Sequence, residues 1–302
     1  MKIAVLSDTR VPTLPTGGHG LGRFAHRLAT YLQKQGHNVT LYAGAGSKFD
    51  GKLVMDSSEL QRAGILRQGE ADVFLDMSHD HDLSRIHPDW AVLNYVVDAE
   101  VRYQPANAAV VLHAQEKYHP NGRYIPMGFE VGDYPIYAVK KDYLAYAAKV
   151  IAHKGYHVAL EVHQSQGIPV RFVGERFVND PLPSWKPELH GKEFETFVGE
   201  AKGLLYPGLP VKGFGAGAVQ IEAALMGTPC LCLDNSSAAE WVEHGVSGYI
   251  CRDAEEMADA VQDLGLLNAH QMREWAVASF GIEHTLDVLE EMLQAVVDGE
   301  RW

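Results

Sequence analysis

Short, wholly apolar runs alternate along the chain with segments of helical period. "KIAVLS" (2–7) holds a continuous apolar run, Ile3 to Leu6, as a strand covered on both faces requires. The next periodic stretch puts Leu21, Phe24, Ala25, Leu28 and Leu32 on one stripe, with Arg23, Arg27, Thr30 and Lys34 off it. That spacing predicts a helix with one buried face, closed by Gly36. "NVTLYA" (38–43), "DVFLD" (72–76), "AVLNYVV" (91–97) and "AAVVLH" (108–113) read as further strands. A turn-rich bridge, "GRYIPMGFEVGDYPIY" (122–137), precedes a second series of the same kind. There "YLAYAAKV" (143–150), "PVRFVGE" (169–175), "GLLYPG" (203–208) and "TPCLCLD" (228–234) are strands, and 155–166 and 218–226 are helices. The last amphipathic segment, 284–297, carries Leu286, Val288, Leu289, Met292, Leu293 and Val296 on one side. Strand and helix in repetition predict an α/β protein with parallel sheets covered on both faces. The restart after the bridge predicts two similar domains, 1–138 and 139–282, with 283–302 as a terminal helix.

Charge narrows the classes of partner. The formal net charge is −13, which disfavours nucleic acid, a ligand that needs a basic stripe. No apolar run approaches the roughly 20 residues of a membrane-spanning helix. The opening "MKIAVLSDTR" has neither the length nor the cleavage site of a signal peptide, so a cytoplasmic protein is expected. Three cysteines, Cys230, Cys232 and Cys251, have no metal-ligand spacing and read as reduced core residues.

The first chemistry lies in "TGGHGLG" (16–22), a glycine-rich loop between a strand and a helix. Loop amides and a helix N-terminus attract an anion, and glycines such as Gly17 and Gly18 let a phosphate come close. A plain loop of tight turns is the alternative. The dinucleotide fingerprint fails because Arg23 stands where its third glycine belongs and "LYAGAG" supplies no acid for a ribose. A Gly-Lys-Ser/Thr phosphate loop is absent as well.

The order of these pieces resembles the retaining, nucleotide-sugar-dependent glycosyltransferases of family four. Gly17, Gly18, Gly36, His37 and Val39 match that family's opening strand, Gly-Gly loop, helix and G-H-x-V turn. "YIPMGFEVGDY" resembles its I-P-N-G-V-D segment, with Met127 in place of asparagine. "KVIAHKG" resembles G-R-L-x-x-x-K-G, with Lys149 where arginine usually stands and Lys154 matched, and "RFVGE", ending in Gly174 and Glu175, matches the following strand. The most specific block is "GAGAVQIEAALMGTPCLCLDNSSAAEWVEHGVSGYIC", through Glu222, Gly227, Pro229, Glu240 and Gly248.

The resemblance implies a GT-B fold, two Rossmann-like domains whose parallel sheets face a central cleft. It implies a retaining transfer of a sugar from a nucleoside-diphosphate sugar to an acceptor, with that donor as a substrate and no cofactor or metal. Lys149, at the end of a strand, and Lys154, opening the following helix, are then expected on the donor diphosphate, where fixed cations stabilise the leaving group. Gly174, Gly215, Gly217 and Ala218 would bring backbone to the donor, and Glu222 would accept from the ribose hydroxyls. Two positions depart from the family. Phe214 stands where a sugar-binding glutamate is usual, and Val97-Asp98 stands where His-Asp is often found, which makes Asp98 a candidate on the acceptor side. "SHDHD" (78–82) reads as a surface or acceptor-side loop rather than a metal site. Alternative readings are a degenerate sugar-nucleotide-binding protein, suggested by Phe214, and another GT-B enzyme such as an epimerase. The acceptor, whether glycan, lipid or small molecule, is not legible, nor are the sugar and the base.

Overall fold

The computed structural model describes residues 1–15, 20–56, 58–97, 104–209, 217–235 and 237–302, with Gln166 described in its backbone only. Gly17, Gly18, Asp98, Phe214 and Gly215 lie outside the described residues. The chain divides into two compact units, Met1–Gly128 with Glu283–Trp302, and Phe129–Ile282.

The first unit contains β1 (Lys2–Leu6), α1 (Gly20–Lys34), β2 (Asn38–Gly44), β3 (Lys52–Asp56), α2 (Glu59–Ile65) and β4 (Val73–Asp76). It continues with α3 (Asp82–Ile86), β5 (Val92–Val96), β6 (Ala108–Val110) and β7 (Arg123–Tyr124). All seven strands are parallel, in the order β3-β2-β1-β4-β5-β6-β7. The stripe read on α1 is the one it buries: Leu21, Phe24, Ala25, Leu28 and Leu32 are all below 8% exposed. The helix stops where Gly36 takes φ +89°, with His37 N–H bonding Leu32 C=O, a left-handed turn that caps the last carbonyls.

The second unit contains β8 (Lys141–Ala147), α4 (Tyr156–Gln166), β9 (Val170–Val173), β10 (Trp185–Lys186), α5 (Gly191–Gly199) and β11 (Ala201–Leu205). After these come α6 (Ala218–Leu225), β12 (Cys230–Leu233), β13 (Gly248–Cys251), α7 (Ala254–Ala260) and α8 (Ala269–Phe280). Its sheet is also parallel, in the order β10-β9-β8-β11-β12-β13. One face packs Leu144, Tyr146, Val170 and Phe172 against Val158, Ala159 and Val162 of α4. Cys230, Cys232 and Cys251 are reduced and buried on the last two strands, and burial pushes the Cys232 and Cys251 thiols up to about 12.

The terminal helix α9 (Ile282–Val297) starts at the boundary and packs with the first unit, burying Leu286, Leu289, Met292, Leu293 and Val296. His37 Nε2 lies 3.2 Å from Glu290 Oε1. Past the helix, the Arg123 guanidinium lies 3.8 Å from the centre of the Trp302 ring, and Asn107 N–H bonds the Trp302 carbonyl. Among the described residues, no helix is long and apolar enough to cross a membrane.

Two local expectations are corrected. The strand read as 143–150 ends at Ala147, so Lys149 lies beyond it. Lys154 does not open a helix; it closes a single tight turn, Ala152–Lys154. Gly155, at φ +74°, then separates that turn from α4. A side chain on Gly155 would come within 2.7 Å of Pro207 Cβ, so the chain must turn sharply there before the helix can begin.

Candidate active site

In the second sheet, β8 lies at the centre, β9 and β10 build outward on one side, and β11, β12 and β13 on the other. The order therefore reverses between β8 and β11. The crevice outside the carboxyl ends of those strands is where open α/β sheets bind ligands. Two connections border it, residues 148–155 after β8 and residues 206–209 after β11. They are packed together: Leu209 N–H bonds the His153 carbonyl at 3.0 Å, and Gly155 sits on Pro207.

Lys154 and Tyr206 meet in this crevice. The Lys154 ammonium donates to Tyr206 Oη at 2.8 Å and lies 5.4 Å from the centre of the same ring. Tyr206 is 2% exposed, so its phenol is a fixed acceptor that holds the lysine in place. The phenol also abuts the start of α6. A Cβ on Gly217 would lie 2.4 Å from Tyr206 Oη, so only glycine lets the helix begin so close to the ring. Gly217 N–H donates to Gln220 Oε1, while the first amides of α6 have no partner inside the helix. A positioned ammonium and a helix N-terminus beside one phenol form an electropositive corner suited to an oxyanion.

Glu222 lies one turn further along α6 and is buried, 3% exposed. Tyr134 Oη donates to its Oε1 at 3.0 Å. A buried carboxylate is costly without such a donor. The segment carrying Tyr134 is itself clamped by Arg273 of α8. This guanidinium donates to the carbonyls of Tyr134, Leu225 and Val131, tying the segment to the end of α6. A carboxylate held this way presents acceptors and no donors, as a pair of hydroxyl groups requires.

The other expected residues are distributed differently. Lys149 is exposed, with Nζ 3.8 Å from Glu175 Oε2 and 5.8 Å from the centre of the Phe177 ring. Gly174 has a packing reason for its identity: its φ is +141°, and a Cβ would lie 2.2 Å from the Ala148 carbonyl oxygen. Ala218 is the first residue of α6. The structure thus joins Lys154, Gly217, Ala218 and Glu222 through α6 and Tyr206, and sets Lys149 beside Gly174 and Glu175. Nothing local in the sequence marks Tyr134, Tyr206 or Arg273, because each meets its partner far along the chain.

The first unit has a polar cluster at the equivalent reversal, between β1 and β4. Asp8, 3% exposed, accepts from Arg10 N–H and Nε at 2.8 and 3.0 Å, and lies 3.3 Å from His79 Nε2. Burial alone would raise the Asp8 carboxyl, but the hydrogen bonds from His79 and Arg10 outweigh it and hold the group well below the usual carboxylate range. Glu59 moves the other way, raised by burial and by the nearby Asp76 and Asp8. The segment 78–82 is not a surface loop throughout. His81 is 1% exposed with Nδ1 3.9 Å from Asp76 Oδ1, and Ser78 donates to the same carboxylate oxygen. Among the described residues, no group of three histidine, cysteine or acidic side chains is placed to hold a metal ion.

Comparison with known proteins agrees with this architecture. Residues 157–265, which include α6 and Glu222, match the family described as Glycosyl transferases group 1. AviGT4, a glycosyltransferase involved in avilamycin A biosynthesis, superposes with a TM-score of 0.79 at 21% identity, covering 100% of this chain and 99% of that one. HepE of Anabaena, solved in complex with UDP, gives 0.73 at 13% identity over 98% of this chain and 100% of that one. Sucrose-phosphate synthase from Thermosynechococcus elongatus gives 0.73 at 12% identity, covering 99% and 100%. No curated protein sequence matches the chain. The fold is the GT-B fold, and the matched segment supports a transferase.

Proposed function

We propose that the protein is a retaining glycosyltransferase that moves a sugar from a nucleoside-diphosphate sugar to an acceptor. The observation that carries this reading is the junction of Lys154, Tyr206 and the start of α6, with buried Glu222 one turn beyond, inside the segment that matches the transferase family. As the glycosidic bond breaks, the leaving diphosphate gains negative charge. Lys154 and the α6 amides lie ready for that charge, and a site already organised stabilises the transition state without rearranging. Lys149, free to swing from Glu175, supplies a second cation to the diphosphate. Glu222 accepts from the ribose hydroxyls. Gly17, Gly18 and Gly215 bring backbone to the donor and Asp98 serves the acceptor side, roles that rest on the resemblance alone.

UDP is the first nucleotide to offer, because HepE was solved with it. The test is to incubate the protein with UDP-sugars and candidate acceptor sugars, follow UDP release, and determine the anomeric configuration of the product by NMR. The expected product keeps the donor's configuration; an inverted product refutes the retaining mechanism. The second reading rests on Phe214, which stands where the family that the chain resembles usually has a sugar-binding glutamate. Nucleotide binding without turnover on any donor would favour a binding protein that has lost transfer.

A further inference from the structure

A separate concave site lies on the face of the second sheet opposite α4. Side chains alternate along β8, β9 and β10, and the register pairs Ala145 with Arg171 and Val173 with Lys186. Tyr143, Arg171, Val173 and Lys186 therefore share one face, while Leu144, Tyr146 and Phe172 point to the α4 side. A parallel sheet normally has both faces covered. Here α5 covers β8, where Phe197 stacks on Tyr143 at 5.9 Å, and beside it a groove of about 710 Å³ runs over β9 and β10. Its volume falls in the range of small-ligand sites, about 300–1,000 Å³.

Two cations of the groove, Arg171 and Lys186, have no acid partner among the described residues. The Arg171 guanidinium lies 4.0 Å from the centre of the Tyr143 ring, which fixes its plane. Among the described residues, no carboxylate lies within ion-pair distance of Arg171 or Lys186, and neither side chain donates a hydrogen bond. Of the other charges on the wall, Glu200 is bonded to Lys141 and Lys192 to Tyr137 and Glu195, while Glu193 of α5 adds one negative charge at the side. Uncommitted cations in a concavity are notable in a chain of net charge −13.

We propose that this groove is a second ligand site that takes an organic phosphate monoester, its phosphate on Arg171 and Lys186 and its organic part along Val173, Leu189 and Phe197. A guanidinium held flat on a ring offers parallel N–H donors to two oxygens of one phosphate. Lys186, beside Val173 on the neighbouring strand β10, matches the second negative charge. The apolar wall distinguishes an ester from free phosphate.

The test is calorimetry with phenyl phosphate, inorganic phosphate and phenol on the whole chain. The parent should bind phenyl phosphate, should bind inorganic phosphate more weakly, and should not bind phenol. Arg171→Gln should weaken phenyl phosphate by about tenfold or more, the loss of one charged pair of hydrogen bonds. Lys186→Gln should weaken it less, and Lys154→Ala should keep the Arg171-dependent binding. Circular dichroism checks that each variant is folded; Arg171 is exposed, so its replacement should be tolerated. Equal affinity in Arg171→Gln and parent overturns the proposal. So does no binding by the parent at millimolar concentration, or loss of binding in Lys154→Ala, which would place the ligand in the crevice beyond β8 and β11.

Discussion

Replacing Gly217 by alanine tests the junction on which the candidate site is built. The added Cβ would lie 2.4 Å from Tyr206 Oη, 2.7 Å from Cζ and 3.0 Å from Cε2. Non-bonded carbon contacts prefer about 3.5–4.0 Å, so ring and helix must separate by about an ångström. Backbone strain adds nothing, because φ at Gly217 is −146°, extended backbone open to any residue. Tyr206 is 2% exposed and cannot swing out into solvent. The cost is therefore overpacking, about 1–3 kcal/mol. Moving the phenol also disturbs the acceptor of Lys154, which should lower nucleotide affinity alongside stability. Urea unfolding of the parent and Gly217→Ala gives the stability term, and repeating the substitution in a Tyr206→Leu background removes the ring that is struck. There the cost of the alanine should fall to about 0.5 kcal/mol or less, that of an unobstructed change. A cost equal in both backgrounds would refute the contact. A single variant within about 0.5 kcal/mol of the parent would do the same.

Other consequences follow from the same geometry. Glu222→Gln keeps an oxygen for Tyr134 Oη and should stay folded, yet bind UDP more weakly because a neutral amide is a poorer double acceptor; equal UDP affinity by calorimetry would make the residue structural. Lys154→Ala should cost more UDP affinity than Lys149→Ala, about 1.5–3 kcal/mol if its charged bond is desolvated, since Lys154 is held by Tyr206 while Lys149 is exposed; unchanged affinity in both variants removes the diphosphate assignment. Burial lowers the Lys140 ammonium from 10.5 to about 8, though it donates to the Gly199 carbonyl and Thr228 Oγ1. Between those values the unfolded chain holds a proton that the folded chain lacks, so the parent should gain stability relative to Lys140→Met as pH rises through that window, by about 3 kcal/mol at most. A parent-minus-variant difference that stays flat from pH 8 to 10.5 would contradict this.

Much of the scaffold is legible in the sequence because parallel strands covered on both faces are apolar runs, and a covered helix repeats every three to four residues. β1, α1, β2 and β12 follow directly from that signal. Elements with little burial are not legible. β10 is two exposed residues, and β3 is an edge strand with a mixed pattern. α5 is a short helix, "GKEFETFVG", of which only Val198 and Gly199 are buried. Their period is too short to rise above a loop.

The site divides along the same line. The sequence by itself marks Glu222 as unusual, an acid on an otherwise apolar helix after glycines, because that contrast is contained within a few residues. It marks Lys149 and Lys154 only as cations between a strand and a helix. What tertiary structure alone decides is which groups they meet. Lys154 finds Tyr206 across 52 residues, and Glu222 finds Tyr134 across 88. Arg273 reaches Val131 across 142. The uncommitted state of Arg171 is likewise a property of three strands and one helix packed together. Periodicity reports whether a side chain is covered, since burial recurs with the turn of the helix or the pleat of the strand. A single hydrogen bond between distant segments does not recur, so it leaves no period to read.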